Sequence, residues 1–537
     1  MRKPLRAAAV ASAAALSLIL AACGGGNGDT TGGDGAAGGG DIVIRGCEPK
    51  EALVPGNTSE TCGGDMVDAM TSRLIHYNTE TSEPEMDIAE SIETEDNITF
   101  TVTLKQGYMF HDGTEVKAHN FVDAWNYTAA AENGQAGAYF MGAIKGAAEA
   151  SAEGSTITEM EGLTVVDDYT FTIETVEPTS NLPIRLGYSS FAPLPDSFFD
   201  DPEAFNDNPV GAGPFAFDSK STSEFKFVKF DDYAGDYAAQ VDSLTFRLYA
   251  DPSAAYNDTV ANQLDYTSEI PTDQQVGDQY KSDLPDRNAV RESMRFTVLV
   301  FSPVDEQLAD NLELRQALSM AIDRQLIIDQ IYNGLYKAAH GWAPAIVSGA
   351  TDSACGELCD FDADAAKELY EQSGGYEGTL TITTNGDGAH KEWTEATCNS
   401  IKNTLDLDCV VVLTPTFAEY QKQIDNDEIM GLFRSGWQAD YPSVENFLAP
   451  IYGTGADSNW SQYNNPDFDA KLREAAAANS IDEANELYQE AEAMLGADLP
   501  TTPLWYPQTV VGWSENVTDV NINAFGVLDF SAIRTAG

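Results

Sequence analysis

Phe433-Arg434-Ser435-Gly436-Trp437-Gln438-Ala439-Asp440-Tyr441-Pro442 joins an arginine, a side-chain-free glycine, a large aromatic and an acid in one short run that a proline ends. Apolar Met430, Leu432 and Phe433 lead into it, so it is expected to be a strand leaving a core for a sheet edge. An edge strand offers unpaired N–H and C=O groups to an extended partner. Arg434 and Asp440 stand six residues apart, roughly 20 Å along an extended chain. An acid and a base at that spacing suit the two ends of a short zwitterionic chain; a plain strand end with solvated charges fits the same residues.

The rest of the chain narrows the choice. At 537 residues it exceeds what one core organises, which implies two or three domains. With 43% hydrophobic and 10% aromatic residues it is globular. Asp and Glu total 86 against 29 Lys and Arg, and so negative a surface excludes nucleic acid as a partner. The excess reads as surface solubility or salt adaptation, with a preference for cationic ligands as the functional alternative.

Arg2, Lys3 and Arg6 precede a small, apolar run over residues 7–22, the pattern of an export signal. Leu20-Ala21-Ala22-Cys23 resembles a bacterial lipobox, which implies a signal peptide over residues 1–22 and lipidation of Cys23. Removing three basic residues shifts the formal charge from −57 to −60. Acyl chains would hold the protein at the outer face of the cytoplasmic membrane by apolar burial, about 0.8 kcal/mol per methylene. Residues 23–40, mostly Gly, Asp, Thr and Ala, make a flexible tether with a reach of roughly 25 Å. Six further cysteines fall in close pairs, Cys47/Cys62, Cys355/Cys359 and Cys398/Cys409. Nearest-neighbour disulfides are preferred among fifteen possible connectivities in an oxidising compartment. No second ligand pair at metal spacing accompanies Cys355 and Cys359, so no metal and no cofactor is expected.

Along the chain, residues 41–45 and 98–104 alternate as strands, and apolar spacing predicts helices over 65–75 and 116–131. Residues 53–64 read as loop. A hairpin is expected over 163–173 and strands over 225–230, 244–248 and 296–301. One long helix is expected over 312–333. Residues 362–413 then run helix, strand, helix, strand, a rhythm that implies a parallel sheet. Helices follow from Asn465 and over 481–495, and a strand over 499–506.

Three segments carry a resemblance. Phe110-His111-Asp112-Gly113-Thr114 sits at a strand–turn–helix junction. Asn208-Pro209-Val210-Gly211-Ala212-Gly213-Pro214-Phe215 has the glycines of a close chain crossing. Leu314-Arg315-Gln316-Ala317-Leu318 is followed by Ala321-Ile322-Asp323-Arg324. Together they resemble the signatures of the peptide-binding branch of extracytoplasmic solute-binding proteins, which deliver ligand to ABC-type importers. The resemblance extends from about residue 41 to the C-terminus. It implies an α/β, two-lobed, periplasmic-binding-protein-like fold with a hinge and an extra inserted domain. Lobe I would take residues 41–75, 186–296 and 504–537, the insert 76–185, and lobe II 297–503.

The resemblance also assigns a site. Gly436-Trp437-Gln438-Ala439-Asp440-Tyr441 matches a run in which the aspartate pairs with the ligand's α-ammonium. Gly436 and Gln438 would pair through their backbones with the ligand, Arg434 would meet its carboxylate, and His390 would lie near the same end. Tyr441 completes the run, Tyr506 falls where a pocket tyrosine is expected, and Thr61 and Gly63 would line the opposite wall. Tyr441-Pro442-Ser443-Val444 departs from the family's Tyr-x-Asp-Pro, and Ala118-His119-Asn120 from its acidic helix start. The expectation is a non-enzymatic, lipid-anchored receptor that captures short peptides and passes them to a permease and its ATPase. A binder of a metal chelate, sugar or polyamine, an adhesion or sensing receptor on the same fold, and a secreted hydrolase are the alternatives. The hydrolase lacks a nucleophile elbow and a zinc motif.

Overall fold

The computed structural model describes residues 39–537 apart from Ser59, Asp352 and Asp457. The signal segment, Cys23 and all but the last two residues of the tether lie outside the described residues. Two large sheets organise the chain. The first has seven strands, in the order Asn288–Glu292, Gln508–Trp513, Tyr266–Thr267, Asp41–Gly46, Ser243–Leu248, Glu224–Lys229 and Phe215–Lys220. The second has six: Lys337–Ala338, Thr501–Tyr506, Arg295–Phe301, Leu432–Gln438, Leu380–Asn385 and Cys409–Thr414. The chain passes between them twice, through Ser293-Met294 and through Pro507. The molecule is thus a two-lobed α/β protein with two crossing points. Strand Thr501–Tyr506 pairs with Arg295–Phe301 inside the second sheet, so a division after residue 503 would split a paired strand, and the crossing belongs at Pro507.

A four-stranded antiparallel sheet, Ala89–Thr94, Thr99–Leu104, Thr170–Glu174 and Leu163–Asp167, forms a third body. Phe121 and Trp125 of helix Ala118–Ala129 cover it and pack on Phe171. Its core also draws in Val54 and Leu74 from before it in the chain and Phe191, Phe198 and Phe205 from after it. Each large sheet has its own core, around Ile42, Phe227 and Phe246 in the first and Trp342, Trp393 and Tyr452 in the second.

The signature segments are structural clamps. His111 Nδ1 accepts from the Gly211 amide at 3.1 Å, and Nε2 lies 3.0 Å from the Gly213 carbonyl. With an amide donating to Nδ1, the proton sits on Nε2, and burial pushes the imidazole down to about 4, so it stays neutral. A Cβ on Gly211 would fall within 1.9 Å of the Met70 carbonyl, which excludes every other residue at this crossing. Arg315 donates to the carbonyls of Leu308, Ala309, Asp498 and Leu499. Buried Arg324 donates to Pro503 O and Thr502 Oγ1. The two arginines hold the chain as it returns toward the crossing.

Several expectations are corrected. The first helix is Thr61–Met70, four residues earlier than expected, because the Glu60 carboxylate accepts from the Gly63 amide and caps it. Residues 312–333 form two helices, Leu312–Met320 and Arg324–Ile331, since Asp323 accepts from the Leu326 amide and starts the second. Helices Phe417–Asp425 and Glu445–Tyr452 had no counterpart in the expectations. The disulfides form as paired, Cys47–Cys62, Cys355–Cys359 and Cys398–Cys409, with Cα atoms 5.1, 5.7 and 5.2 Å apart. Among the described residues, no helix is long and apolar enough to cross a membrane.

Candidate functional site

Strand Leu432–Gln438 pairs along its whole length with Arg295–Phe301 on one side. On the other side it meets strand Leu380–Asn385 only at Leu432 and Phe433. From Arg434 onward that second edge has no strand against it. The Ala439 amide donates to Met294 O at 2.9 Å, which fixes the phase of the ladder. Odd-numbered residues therefore bond to the Arg295 strand, while Arg434, Gly436 and Gln438 direct their N–H and C=O groups to the open edge. The Arg434 carbonyl already accepts from Tyr420 Oη; Gly436 and Gln438 remain. A Cβ at Gly436 would sit 2.8 Å from the Phe296 carbonyl, so glycine lets the two strands approach there.

The edge ends at a cavity of about 1090 Å³ between the lobes, lined by Asp440, Gln438, His390, Trp393 and Trp505 on one side. Helix Thr61–Met70 contributes Thr61, Gly64, Asp65 and Asp68 from the other, with Arg73 and Tyr77 beyond it. Tyr336 stacks on Tyr332 at 3.9 Å, Tyr332 meets Trp505 at 5.5 Å, and Trp505 meets Trp393 at 5.2 Å. These rings make a continuous aromatic wall.

Asp440 is held from behind. Its amide and Trp437 Nε1 both donate to Asn446 Oδ1, at 3.0 and 2.9 Å, and Asn446 Nδ2 donates to one carboxylate oxygen at 3.3 Å. No other hydrogen bond reaches the carboxylate among the described residues, so most of its acceptor capacity faces the cavity. Burial pushes it up to about 6; the Asn446 bond opposes this, nearby Glu445 adds to it and Arg185 counters. Glu445 is itself fully engaged: it accepts from Asn181 Nδ2 and Tyr441 Oη, each at 2.7 Å, and pairs with Arg185 at 3.2 Å. This network ties the loop that carries Asp440 to helix Leu182–Arg185. Across the cavity, desolvation and the neighbouring Asp68 push Asp65 up to about 8.

Of the expected site residues, Asp440, Gln438, His390 and Thr61 line the cavity, and Gly436 stands exposed on the open edge. His390 Nδ1 accepts from Trp393 Nε1 at 3.2 Å, and burial with Arg434 nearby takes it down to about 4. The others are placed differently. Arg434 lies outside the lining: Nε and Nη2 donate to Asn385 Oδ1 at 3.0 and 2.8 Å, and the guanidinium sits over Phe417 and Tyr420. Tyr506 is a core residue whose hydroxyl donates to Gly341 O; its neighbour Trp505 faces the cavity instead. Trp437 turns to the core side, Tyr441 serves Glu445, and Gly63 is buried at the helix cap. Missed were Asp65, Asp68, Arg73, Tyr77, Arg295 and the tyrosine pair. The spacing of Asp65 and Asp68 on one helical face is the sequence signal that was there to find.

Comparisons with known proteins agree with this architecture. Oligopeptide-binding protein OppA of Bacillus subtilis (strain 168) is 23% identical over 493 residues, 89% of this chain and 90% of its own. Heme-binding protein A of Haemophilus influenzae is 24% identical over 525 residues, 90% of each. The unliganded open form of MppA, a periplasmic murein tripeptide binding protein, superposes with a TM-score of 0.82 at 21% identity, covering 92% of this chain and 97% of its own. The family described as "Bacterial extracellular solute-binding proteins, family 5 Middle" matches residues 83–459. That match takes in more than half of the chain, which therefore belongs to the family 5 bacterial extracellular solute-binding proteins.

Proposed function

We propose that the chain is the substrate-binding component of an ABC-type importer and that its solute is a short peptide. One observation carries the reading: a strand open on one edge runs into the cavity and ends at a carboxylate. An extended peptide laid along Gly436 and Gln438 would complete the sheet through main-chain bonds, which are blind to its sequence. Its ammonium would reach Asp440, where burial makes pairing favourable for both charges. Side chains would fall into the roomy, aromatic-walled cavity. OppA, matched over 89% of this chain and 90% of its own, is named for the same class of ligand. Lipidation at Cys23 would tether the protein at the outer face of the cytoplasmic membrane, close to its permease.

Heme-binding protein A is as similar over as much of the chain, and this favours a metal chelate as the second reading. Native mass spectrometry of the protein purified without denaturation separates the two. Co-purified masses that dissociate into di- to pentapeptides support the first; a chelate, visible also by its absorbance, supports the second.

A further inference from the structure

Three arginines line the cavity: Arg45, Arg73 and Arg295. Arg45 pairs with Glu269 and Arg73 with Asp68, each at 2.9 Å. No carboxylate among the described residues lies within ion-pairing distance of Arg295. Its Nε donates to Ser293 Oγ at 3.2 Å and its Nη2 to Thr509 Oγ1 at 3.3 Å. Both partners are neutral hydroxyls, one on the first crossing segment and one in the strand just past the second, so they aim the guanidinium without compensating it. Five N–H donors less two leave most of the fork free. Burial lowers its pKa, with only Tyr336 acting in the other direction.

Position adds to this. Arg295 lies directly opposite Gln438 in the ladder, so the two share a sheet face. Asp440 follows two residues on, which makes Arg295 and Asp440 diagonal neighbours, roughly 7–8 Å apart by backbone. The opposite wall carries Glu60, Asp65 and Asp68, and the whole chain carries a formal charge of −57. In such a field a half-buried cation with no anion beside it among the described residues is not background.

We propose that Arg295 forms an anion subsite at the base of the cavity that takes a carboxylate of the bound peptide within a residue or two of its ammonium end. The assignment rests on the peptide reading and deepens it. The chemistry is that of a planar fork meeting a carboxylate, with both hydrogen-bonded and shielded from water. Two sources supply such a group: an acidic side chain at the first or second residue, or the C-terminus of a dipeptide.

The test is calorimetric titration of the purified, ligand-stripped protein with Ala-Ala-Ala, Glu-Ala-Ala, Ala-Glu-Ala, Ala-Ala and the amide of Ala-Ala. The expected result is at least a tenfold preference for one of the glutamyl tripeptides over Ala-Ala-Ala, or for Ala-Ala over its amide. The arm that shows it identifies the source. Arg295→Met collapses the ratio to near one, and Arg295→Lys restores part of it. Loss of overall stability alone would weaken every peptide alike and leave the ratio intact. The wild-type ratio, which shrinks at high salt, tests the idea even where a variant fails to fold. Equal affinity for all five peptides, or a ratio that survives in Arg295→Met, overturns the subsite while leaving the peptide reading intact. Absence of binding by every peptide overturns both.

Discussion

Replacing Asp440 by asparagine should move affinity and stability in opposite directions. Without ligand, the carboxyl titrates at about 6 against an ordinary 3.8, so the folded state disfavours its charged form. At pH 7, above both values, the charge costs the folded protein roughly 3 kcal/mol, at 1.36 kcal/mol per pH unit. Asp440→Asn keeps an oxygen for the Asn446 amide and removes the charge, so the ligand-free protein gains that amount. The gain falls as pH drops through about 6 toward 4, where about 0.5 kcal/mol remains, because the folded carboxyl is then protonated while the unfolded one, with its ordinary 3.8, is only partly so. With an unfolding entropy of about 2.1 cal/mol/K per residue over about 500 residues, 1 kcal/mol is about 1 °C, so the thermal midpoint rises by ~3 °C at pH 7. Peptide binding goes the other way. An ammonium left without its anion in a shielded site costs about 3–5 kcal/mol, a loss of roughly 10²–10⁴-fold at 1.36 kcal/mol per decade. Scanning calorimetry at pH 7 and pH 4, with titration of a tripeptide at pH 7, reads both. Unchanged affinity together with an unchanged midpoint would refute the argument that this carboxylate is the buried, unpaired anchor.

The same carboxylate predicts a pH profile: peptide affinity is flat between about 6 and 8, and weakens about tenfold per unit below 6 as Asp440 protonates and above 8 as the ligand ammonium deprotonates. Gly436→Ala should cost about 1–3 kcal/mol by forcing a Cβ against the Phe296 carbonyl, and shift the open edge enough to weaken every peptide alike; denaturant titration and calorimetry check the two effects. Glu445→Ala leaves Arg185 and Asn181 without their buried acceptor and should destabilise by about 3–5 kcal/mol in denaturant unfolding. Changing both Cys47 and Cys62 to serine opens a loop of 15 residues, worth about 3 kcal/mol, and frees the start of the acidic helix, so both midpoint and affinity should fall.

The sheet elements were legible because alternation survives in single strands, as residues 98–104 and 163–173 each show; the open-edge strand was legible instead from the apolar Met430, Leu432 and Phe433 that lead into it. What stayed hidden depends on neighbours. Residues 312–333 keep one apolar face across Ala321-Ile322-Asp323, so periodicity alone cannot see that Asp323 caps a new helix. Tyr506 was expected in the site and Trp505 is there instead. A one-residue change of parity exchanges the faces of a strand, and the register shift between Thr297 and Val298 has no mark in the sequence. Arg434 and Asp440 share a face by parity, yet Asn385, Phe417 and Tyr420 hold Arg434 away from the cavity. The residues that hold it lie dozens of positions upstream or in a helix that the sequence reading passed over. Arg295 was invisible for the opposite reason. Nothing marks one arginine among many until its lack of an acid partner is seen in space.

An open strand edge is ordinarily a hazard, since it invites another molecule's sheet to join it. Here the edge lies recessed between two lobes, with a helix across from it and aromatic rings on its flank. A lone extended chain needs room for one strand beside the edge; a preformed sheet needs room for further strands about 4.8 Å apart on the far side of the one that docks. The recess thus acts as a gauge of strand number, admitting β-structure one chain at a time and keeping copies of the protein from polymerising through the groups that serve its ligand.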